Sequence, residues 1–189
     1  MSLPLEGLTA IVTGAGRGLG RAVAHTGDVA DHEQARALVE SAVAEFGRLD
    51  ILVNNAGILR DRMVFSMTED EWDSVIRVHL KGHFNTTHFA SVHWRARSKA
   101  ADGPVYGRIV NTSSEAFLAG SAGQPNYAAA KGGIVGLTTS TALALAKYGV
   151  TANVICPRAR TRGRSTTATI PPCTTSSCPL TRPAAGEAR

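Results

Sequence analysis

The chain has 189 residues, 43% of them hydrophobic, which is enough to bury the core of one domain. No apolar run reaches the roughly 18 residues of a membrane span, and the N-terminus lacks the basic region and apolar core of a signal peptide. We therefore expect a soluble, cytoplasmic protein with no membrane partner. The net charge of +5 arises in residues 158–189, which contain six arginines and one glutamate. A balanced body with a basic tail argues against a nucleic-acid partner. The three cysteines form no C-x-x-C pair, so neither a disulfide framework nor a metal site is expected.

The first element is a short apolar run, residues 8–12 (L-T-A-I-V), which predicts a buried strand. It leads directly into T-G-A-G-R-G-L-G at residues 13–20. A glycine-rich turn between a strand and a helix lets backbone N–H groups approach a pyrophosphate. The spacing of Gly14, Gly18 and Gly20 differs from G-x-G-x-x-G, so the preceding strand is what favours a phosphate-binding turn over an ordinary one.

The next segments alternate between helix and strand. Residues 31–46 predict an amphipathic helix capped by Asp31 and ended by Gly47. Residues 49–53 (L-D-I-L-V) predict a second buried strand, followed by N-N-A-G at residues 54–57. This alternation indicates an α/β protein with a parallel sheet. The apolar side of the helix is expected to consist of Ala35, Leu38, Val39, Ala42, Val43 and Phe46.

A capping box, T-E-D-E at residues 68–71, predicts the start of another helix. Residues 107–111 and 151–156 predict two further strands, and a helix is expected from about residue 126 to 147. Expected inward-facing residues of these two helices are Trp72, Val75, Ile76, His79, Leu80, Ile134, Val135, Leu137, Leu143 and Leu145.

The segment that follows the third predicted strand holds the candidate catalytic residues. Tyr127 and Lys131 are four residues apart and share one face of a helix. An ammonium one turn away favours the phenolate and suits the tyrosine to acid/base work on a carbonyl oxygen. Ser114 is delivered to the carboxyl edge of the sheet, where open α/β sheets bind ligands. A Y-x-x-x-K spacing also occurs by chance on exposed helices, so its weight depends on the other motifs.

Taken together, T-G-A-G-R-G-L-G, N-N-A-G, Ser114 and the Tyr127–Lys131 pair resemble the short-chain dehydrogenase/reductases across most of residues 3–162. The resemblance implies a Rossmann-type fold that binds NAD or NADP and transfers hydride to or from a carbonyl/alcohol substrate. Tyr127 would be the acid/base, Lys131 its partner and a ribose contact, and Ser114 the residue that orients substrate. Implied cofactor contacts are Gly14, Arg17, Gly18, Leu19, Gly20, Asp28, Val29, Asn55, Ala56, Gly57, Tyr127, Lys131, Pro157 and Thr161; Asn54 and Asn126 occupy flanking positions.

His79 stands where the family usually has a catalytic asparagine. The R-V-H-L sequence around it resembles the (R)-3-hydroxyacyl-CoA dehydrogenase units of peroxisomal multifunctional enzymes and some acyl reductases. Two interpretations remain open at this point. His79 either serves the same proton relay as the asparagine or is a structural residue of a helix face.

Two departures from the family concern the extent of the sheet. Only seven residues separate Gly20 from Asp28, whereas one βαβ unit takes about 30. The second and third strands of a doubly wound Rossmann sheet are therefore expected to be missing, together with the residue that distinguishes NAD from NADP. Residues 163–189 are rich in Thr, Ser and Pro, which predicts an irregular, disordered tail in place of a last strand. The expected domain is thus a partial Rossmann fold at residues 1–162.

Two functions follow from this pattern. One is an NAD(P)-dependent oxidoreductase that acts on a small carbonyl or alcohol, including 3-oxoacyl or 3-hydroxyacyl compounds, and forms a homodimer through the helices that begin near residues 68 and 126. The alternative is a non-catalytic relative whose cofactor pocket is incomplete. A sheet without its outer strands exposes apolar surface, so weak turnover is expected.

Overall fold

The computed structural model describes residues 5–15 and 26–157, and these contain one parallel sheet. Its strands are β1 (Ala10–Val12), β2 (Ile51–Asn54), β3 (Gly107–Thr112) and β4 (Val150–Ile155), in the spatial order β1-β2-β3-β4. Val12 is in register with Val53, which in turn pairs with Val110. All four strands occur where the sequence predicts them, and in the described residues they form the parallel α/β sheet expected of a Rossmann-type fold.

The longer helices connect successive strands. They are α1 (His32–Phe46), α2 (Glu69–Ile76), α3 (Gly82–Ala100) and α5 (Pro125–Leu145), with the short α4 (Ala116–Ala119) before α5. A π-helical segment, Arg77–Lys81, joins α2 to α3 without a break. Short 3₁₀ turns are formed by Val64–Ser66 and Ala146–Tyr148.

The helix boundaries follow from local chemistry. The Asp31 carboxylate accepts the backbone N–H of Gln34, and Gly47 ends α1 in the left-handed conformation at φ 73°. Thr68 and Glu71 form the predicted capping box at the start of α2. Pro125 occupies the first turn of α5, where its missing N–H costs nothing.

The strand order explains why the core lies on one side of the sheet. Each crossover steps to the next strand in the same direction, so right-handed connections place α1, α3 and α5 on the same face. Val39, Trp94 and Leu145 from these helices pack in one cluster with Ile11, Leu52, Ile109 and Val150 from the strands. On the opposite face, Val12 and Ile155 are 41% and 46% exposed. The described sheet therefore has one covered face and one open face.

A buried polar network attaches the helices to the sheet near the strand ends. The Asn54 amide donates to Thr87 Oγ1 at 3.1 Å and to Asn111 Oδ1 at 2.9 Å. Asn111 in turn donates to Thr138 Oγ1 on α5 at 2.8 Å. Because every named partner satisfies another buried group, the network fixes α3 and α5 relative to β2 and β3.

Several expectations about helices were wrong. The sequence analysis did not anticipate α3 or α4. It also placed Phe46, Trp72 and Leu143 on buried faces, whereas they are 50%, 40% and 78% exposed. Phe46 is the last residue of α1. Leu143 is exposed although Leu145, nearer the end of α5, packs in the core, because residues two apart point to opposite sides of a helix. The predicted tail, residues 163–189, lies outside the described residues, so the domain boundary stays a prediction.

None of the helices in the described ranges combines the length and apolar character needed to cross a membrane.

Candidate active site

The turn after β1 packs directly on the loop after β2. Thr13 Oγ1 accepts the backbone N–H groups of Asn55 and Ala56 at 3.0 and 3.1 Å. Gly14 has a φ of 71°, and a Cβ there would lie 2.7 Å from the Ala56 Cα. Only glycine satisfies both the left-handed backbone and this close approach. Two of the predicted cofactor contacts, Gly14 and Ala56, therefore meet at the carboxyl edge of the sheet.

Gly57, in the loop after β2, packs directly against the side chain of His79. A Cβ on Gly57 would lie 2.3 Å from His79 Cε1, so the imidazole occupies the space above this glycine. His79 Nε2 lies 2.8 Å from the carbonyl oxygen of Ile58. The Ile58 backbone nitrogen also lies 3.1 Å from Nε2, so this ring nitrogen either donates to the Ile58 carbonyl or accepts the Ile58 N–H, according to the tautomer. Nδ1 is buried and has no hydrogen-bond partner among the described residues.

The first turn of α5 is held by the buried Asn126. Its side-chain amide donates to the carbonyl oxygens of Arg60 and Glu71 at 3.0 and 2.8 Å. Its Oδ1 accepts the backbone N–H of Tyr127 at 2.7 Å. Asn126 thus fixes the position at which Tyr127 enters the site.

Lys131 lies one turn further along α5 and connects it to the end of β3. Its ammonium donates to the carbonyl oxygen of Thr112 at 2.5 Å and lies 5.4 Å from the centre of the Tyr127 ring. The Tyr127 ring in turn meets His79 edge-on, with 5.2 Å between ring centres. The structure therefore brings Tyr127, Lys131 and His79 together.

Ser114 lies two residues beyond Thr112, at the start of the loop that leads to α4. Its Oγ accepts the backbone N–H of Ala116 at 3.2 Å, which leaves its hydroxyl proton free to donate. The neighbouring Ser113 is buried and donates to the Lys131 carbonyl at 2.8 Å. These bonds hold the end of β3 against α5, beside the Tyr127–Lys131 turn.

Burial controls the ionisation of this site. Burial lowers the pKa of the Lys131 ammonium to about 8, so the group is still mostly charged at neutral pH. Burial and the nearby Lys131 charge lower the pKa of His79 to about 4, and the same two causes, with a further contribution from His79, lower that of His83 to about 3. Both imidazoles are neutral at pH 7 and offer acceptor or donor nitrogens without charge.

Two further predicted cofactor contacts, Asp28 and Val29, pack against the π segment and α3. Asp28 forms an ion pair with Arg77, and its other oxygen accepts the N–H of Ala30 at 2.9 Å. Val29 fills the space above Gly82, where a Cβ would lie 2.8 Å from Val29 Cγ2. The helix that carries His79 therefore also positions Asp28 and Val29.

Several predicted site residues cannot be placed. Pro157 is exposed at the end of the second described range. Arg17, Gly18, Leu19, Gly20 and Thr161 lie outside the described residues, so their cofactor contacts remain predictions. In the described ranges, no group of three or more His, Cys, Asp or Glu side chains could hold a metal ion.

The structure also shows site residues that sequence reasoning missed. His83 lies one turn after His79, is 2% exposed, and has a ring nitrogen without a protein partner among the described residues. The buried Asn85 donates to the Val29 carbonyl at 3.0 Å and contacts His32 Nδ1 at 3.1 Å. The i, i+4 spacing of His79 and His83 was the available signal, but it requires the helix to continue through residue 81.

Similarity to known proteins identifies the family of this chain. A family model described as short chain dehydrogenase matches residues 22–166. The chain belongs to the short-chain dehydrogenase family. It is 60% identical over 142 residues to the hydroxyacyl-CoA dehydrogenase ChsB1 of Mycobacterium tuberculosis, a match that covers 75% of this chain and 44% of that protein.

More distant relatives have related names. The chain is 44% identical over 131 residues to a 3-oxoacyl-[acyl-carrier-protein] reductase FabG of Staphylococcus aureus, covering 69% of this chain and 50% of the relative. A crystal structure of a short chain dehydrogenase from Mycobacterium avium superposes with a TM-score of 0.72 at 57% identity, covering 76% of this chain and 50% of that one. The chain thus spans about half the length of each of these three relatives.

Proposed function

We propose that this protein is an NAD(P)-dependent oxidoreductase that transfers hydride between a nicotinamide and a carbonyl/alcohol substrate. The observation that carries the proposal is the convergence of Tyr127, Lys131 and His79 beside the loop of Ser114. The relatives named hydroxyacyl-CoA dehydrogenase and 3-oxoacyl reductase support a 3-hydroxyacyl or 3-oxoacyl thioester as substrate.

The described residues fit a bound dinucleotide. Gly14 and Ala56 pack backbone against backbone at the carboxyl edge of β1 and β2, the edge at which open α/β sheets bind ligands. The residues that would hold NAD or NADP there are Gly14, Asn55, Ala56, Asp28 and Val29. When bound, the nicotinamide supplies or accepts the hydride at the substrate carbon.

The protein residues handle the proton and the position of the oxygen. In reduction, Tyr127 donates its phenolic proton to the carbonyl oxygen as the carbon receives hydride; in oxidation it accepts the proton of the alcohol. The Lys131 ammonium places a positive charge 5.4 Å from the centre of the Tyr127 ring. The Ser114 hydroxyl donates a hydrogen bond to the same oxygen and orients it. His79 Nδ1 is buried and has no partner among the described residues, and the ring packs edge-on against Tyr127, which favours the relay role over a purely structural one.

The test combines binding with turnover. Purified chain is titrated with NADH and NADPH, with tryptophan-to-nicotinamide energy transfer as the signal, and turnover is measured on a 3-oxoacyl thioester. Tyr127→Phe should leave cofactor binding intact and reduce turnover by about 10²–10⁴-fold, the usual contribution of a general acid or base. Tyr106→Phe, at a tyrosine that stacks on Arg108 outside the site, is the matched control. Equal turnover in the two variants would contradict the role of Tyr127.

A second candidate is a relative that binds no cofactor and has no turnover. The open sheet face at Val12 and Ile155 favours it, because a complete pocket needs a stable sheet around it. No energy-transfer signal at millimolar NADH or NADPH would support this candidate and exclude the first.

We also propose that the chain forms the homodimer predicted from the helices that begin near residues 68 and 126. The first of these helices continues through the π segment into α3 and the second is α5, and the contact would use α3 and α5. The exposed faces of these helices form a groove of about 230 Å³, and Phe84 at its edge is 46% exposed. A two-fold contact between two such faces would bury this apolar surface. Size-exclusion chromatography with light scattering should show a dimer that Phe84→Asp converts to monomer. The groove is lined by Phe84, Thr87, His88, Ser91, Leu137, Ser140, Thr141, Ala144 and Leu145.

A cytoplasmic location stays a prediction from the sequence.

A further inference from the structure

Large apolar side chains are exposed on two loops at the carboxyl edge of the sheet. Met63, Val64 and Phe65, in the loop after β2, are 47%, 71% and 85% exposed. Leu118, on α4 after β3, is 71% exposed. We refer to these four residues as the apolar lip. Large apolar side chains exposed at one edge of a sheet are unfavourable in water and are typical of a binding surface.

The loop that carries most of the apolar lip is held in place by hydrogen bonds. The backbone N–H of Arg62 donates to the Gly123 carbonyl at 2.7 Å, and the Gln124 amide donates to Asp61 Oδ1 at 2.9 Å. The Arg62 guanidinium is also paired with Glu71 at 2.8 Å. The apolar side chains are therefore presented to solvent by an anchored loop.

The same hydrogen bonds place the apolar lip beside the candidate active site. Gln124 is the residue before α5, and Asn126, which contacts the Arg60 carbonyl, precedes Tyr127. Ser114 begins the loop that carries Leu118. A substrate whose carbonyl reaches Ser114 and Tyr127 would thus have the apolar lip within reach of its remaining atoms.

We propose that the apolar lip binds the hydrocarbon chain of the substrate. The proposal rests on the proposed function, because it takes the substrate to be a 3-oxoacyl or 3-hydroxyacyl thioester. Its hydrocarbon chain would cover Val64, Phe65 and Leu118, while its carbonyl is held by Ser114 and Tyr127. Each methylene that is fully buried strengthens binding about fourfold. Affinity should therefore rise with chain length until the apolar lip is covered.

The direct test is NMR of the chain labelled with ¹³C at methionine methyl groups. The three methionines are Met1, Met63 and Met67, and the half-buried Met67 serves as an internal control. The probes are 3-oxobutanoyl, 3-oxooctanoyl and 3-oxododecanoyl thioesters of N-acetylcysteamine, used below their micelle concentrations. We expect the Met63 signal to shift with the two longer probes and the dissociation constant to fall with chain length.

Two exposed phenylalanines provide a matched pair of variants. Phe65→Ser should weaken binding of the 12-carbon probe about tenfold, a typical effect of truncating one apolar contact, and leave the 4-carbon probe unchanged. Phe46→Ser, at the end of α1 near the opposite edge of the sheet, should change neither. Leu118→Ser is a second variant of the apolar lip on the other loop. Equal affinity for all three probes, or equal effects of Phe65→Ser and Phe46→Ser, would overturn the proposal.

Failure of the apolar lip and failure of the proposed function can be told apart. Probe binding needs neither cofactor nor turnover. Affinity that rises with chain length, without Tyr127-dependent turnover, would support hydrocarbon binding by the apolar lip and reject the oxidoreductase. Tyr127-dependent turnover that is independent of chain length and of Phe65 would support the oxidoreductase and reject hydrocarbon binding by the apolar lip.

Discussion

The position of the His79 ring requires a glycine at residue 57. The imidazole occupies the space that a Cβ on Gly57 would need. Gly57→Ala should therefore destabilise the fold by about 1–3 kcal/mol, the usual cost of overpacking. Urea unfolding followed by circular dichroism would measure this cost.

A second substitution separates steric conflict from a backbone effect. His79→Ala removes the ring, so Gly57→Ala should cost much less in a His79→Ala background. If Gly57→Ala is equally costly in both backgrounds, the ring is not the reason for this glycine.

The two buried histidines should make stability depend on pH. Their folded pKa values, about 4 for His79 and about 3 for His83, lie below the ordinary value of 6.5. Between the folded and the ordinary pKa values, the unfolded chain binds protons that the folded chain does not. The contribution of each histidine to the free energy of unfolding is therefore fully present above pH 6.5 and is lost as the pH falls towards the folded pKa. Each histidine contributes a slope of up to about 1.4 kcal/mol per pH unit. Urea unfolding at pH 7.5, 6 and 5 would measure it.

Replacing each type of histidine tests the origin of this slope. His83→Gln removes one buried titrating group and should reduce the slope between pH 6 and 5. His88→Gln, at an exposed position of the same helix, should leave it nearly unchanged. Equal slopes in all three proteins would contradict the assignment to buried histidines.

At the scale of elements, the capping box of α2 has a role beyond that helix. Thr68 and Glu71 cap its first turn. The Glu71 carboxylate also pairs with Arg62, and the Glu71 backbone carbonyl accepts a hydrogen bond from the Asn126 side chain. Thr68→Ala should lower the free energy of unfolding by about 1 kcal/mol. Thr139→Ala, at an exposed interior position of α5, is the control and should be close to neutral in urea unfolding. If Thr68→Ala changes the free energy of unfolding as little as Thr139→Ala does, tertiary contacts alone hold α2 in place.

At the scale of the whole molecule, the two faces of the sheet should respond differently to substitution. Ile155→Thr, on the open face, should change stability by less than about 0.5 kcal/mol and reduce light scattering during heating. Ile109→Thr, in the helix-covered core, should cost about 3 kcal/mol or more, because it buries a hydroxyl and loses packing. Equal losses at both positions would mean that the open face is covered in solution.

The sequence alone determined the features that depend on local pattern. Buried strands are short apolar runs, Asp31 and Thr68 are capping residues, and the Tyr127–Lys131 spacing fixes one helix face, so these could be predicted with the family resemblance. Only the tertiary structure decided what depends on contacts distant in the chain. Examples are the fit of His79 above Gly57, the buried His83 and the ion pair of Asp28 with Arg77, which arise because crossovers bring separate segments together. No local pattern encodes such contacts.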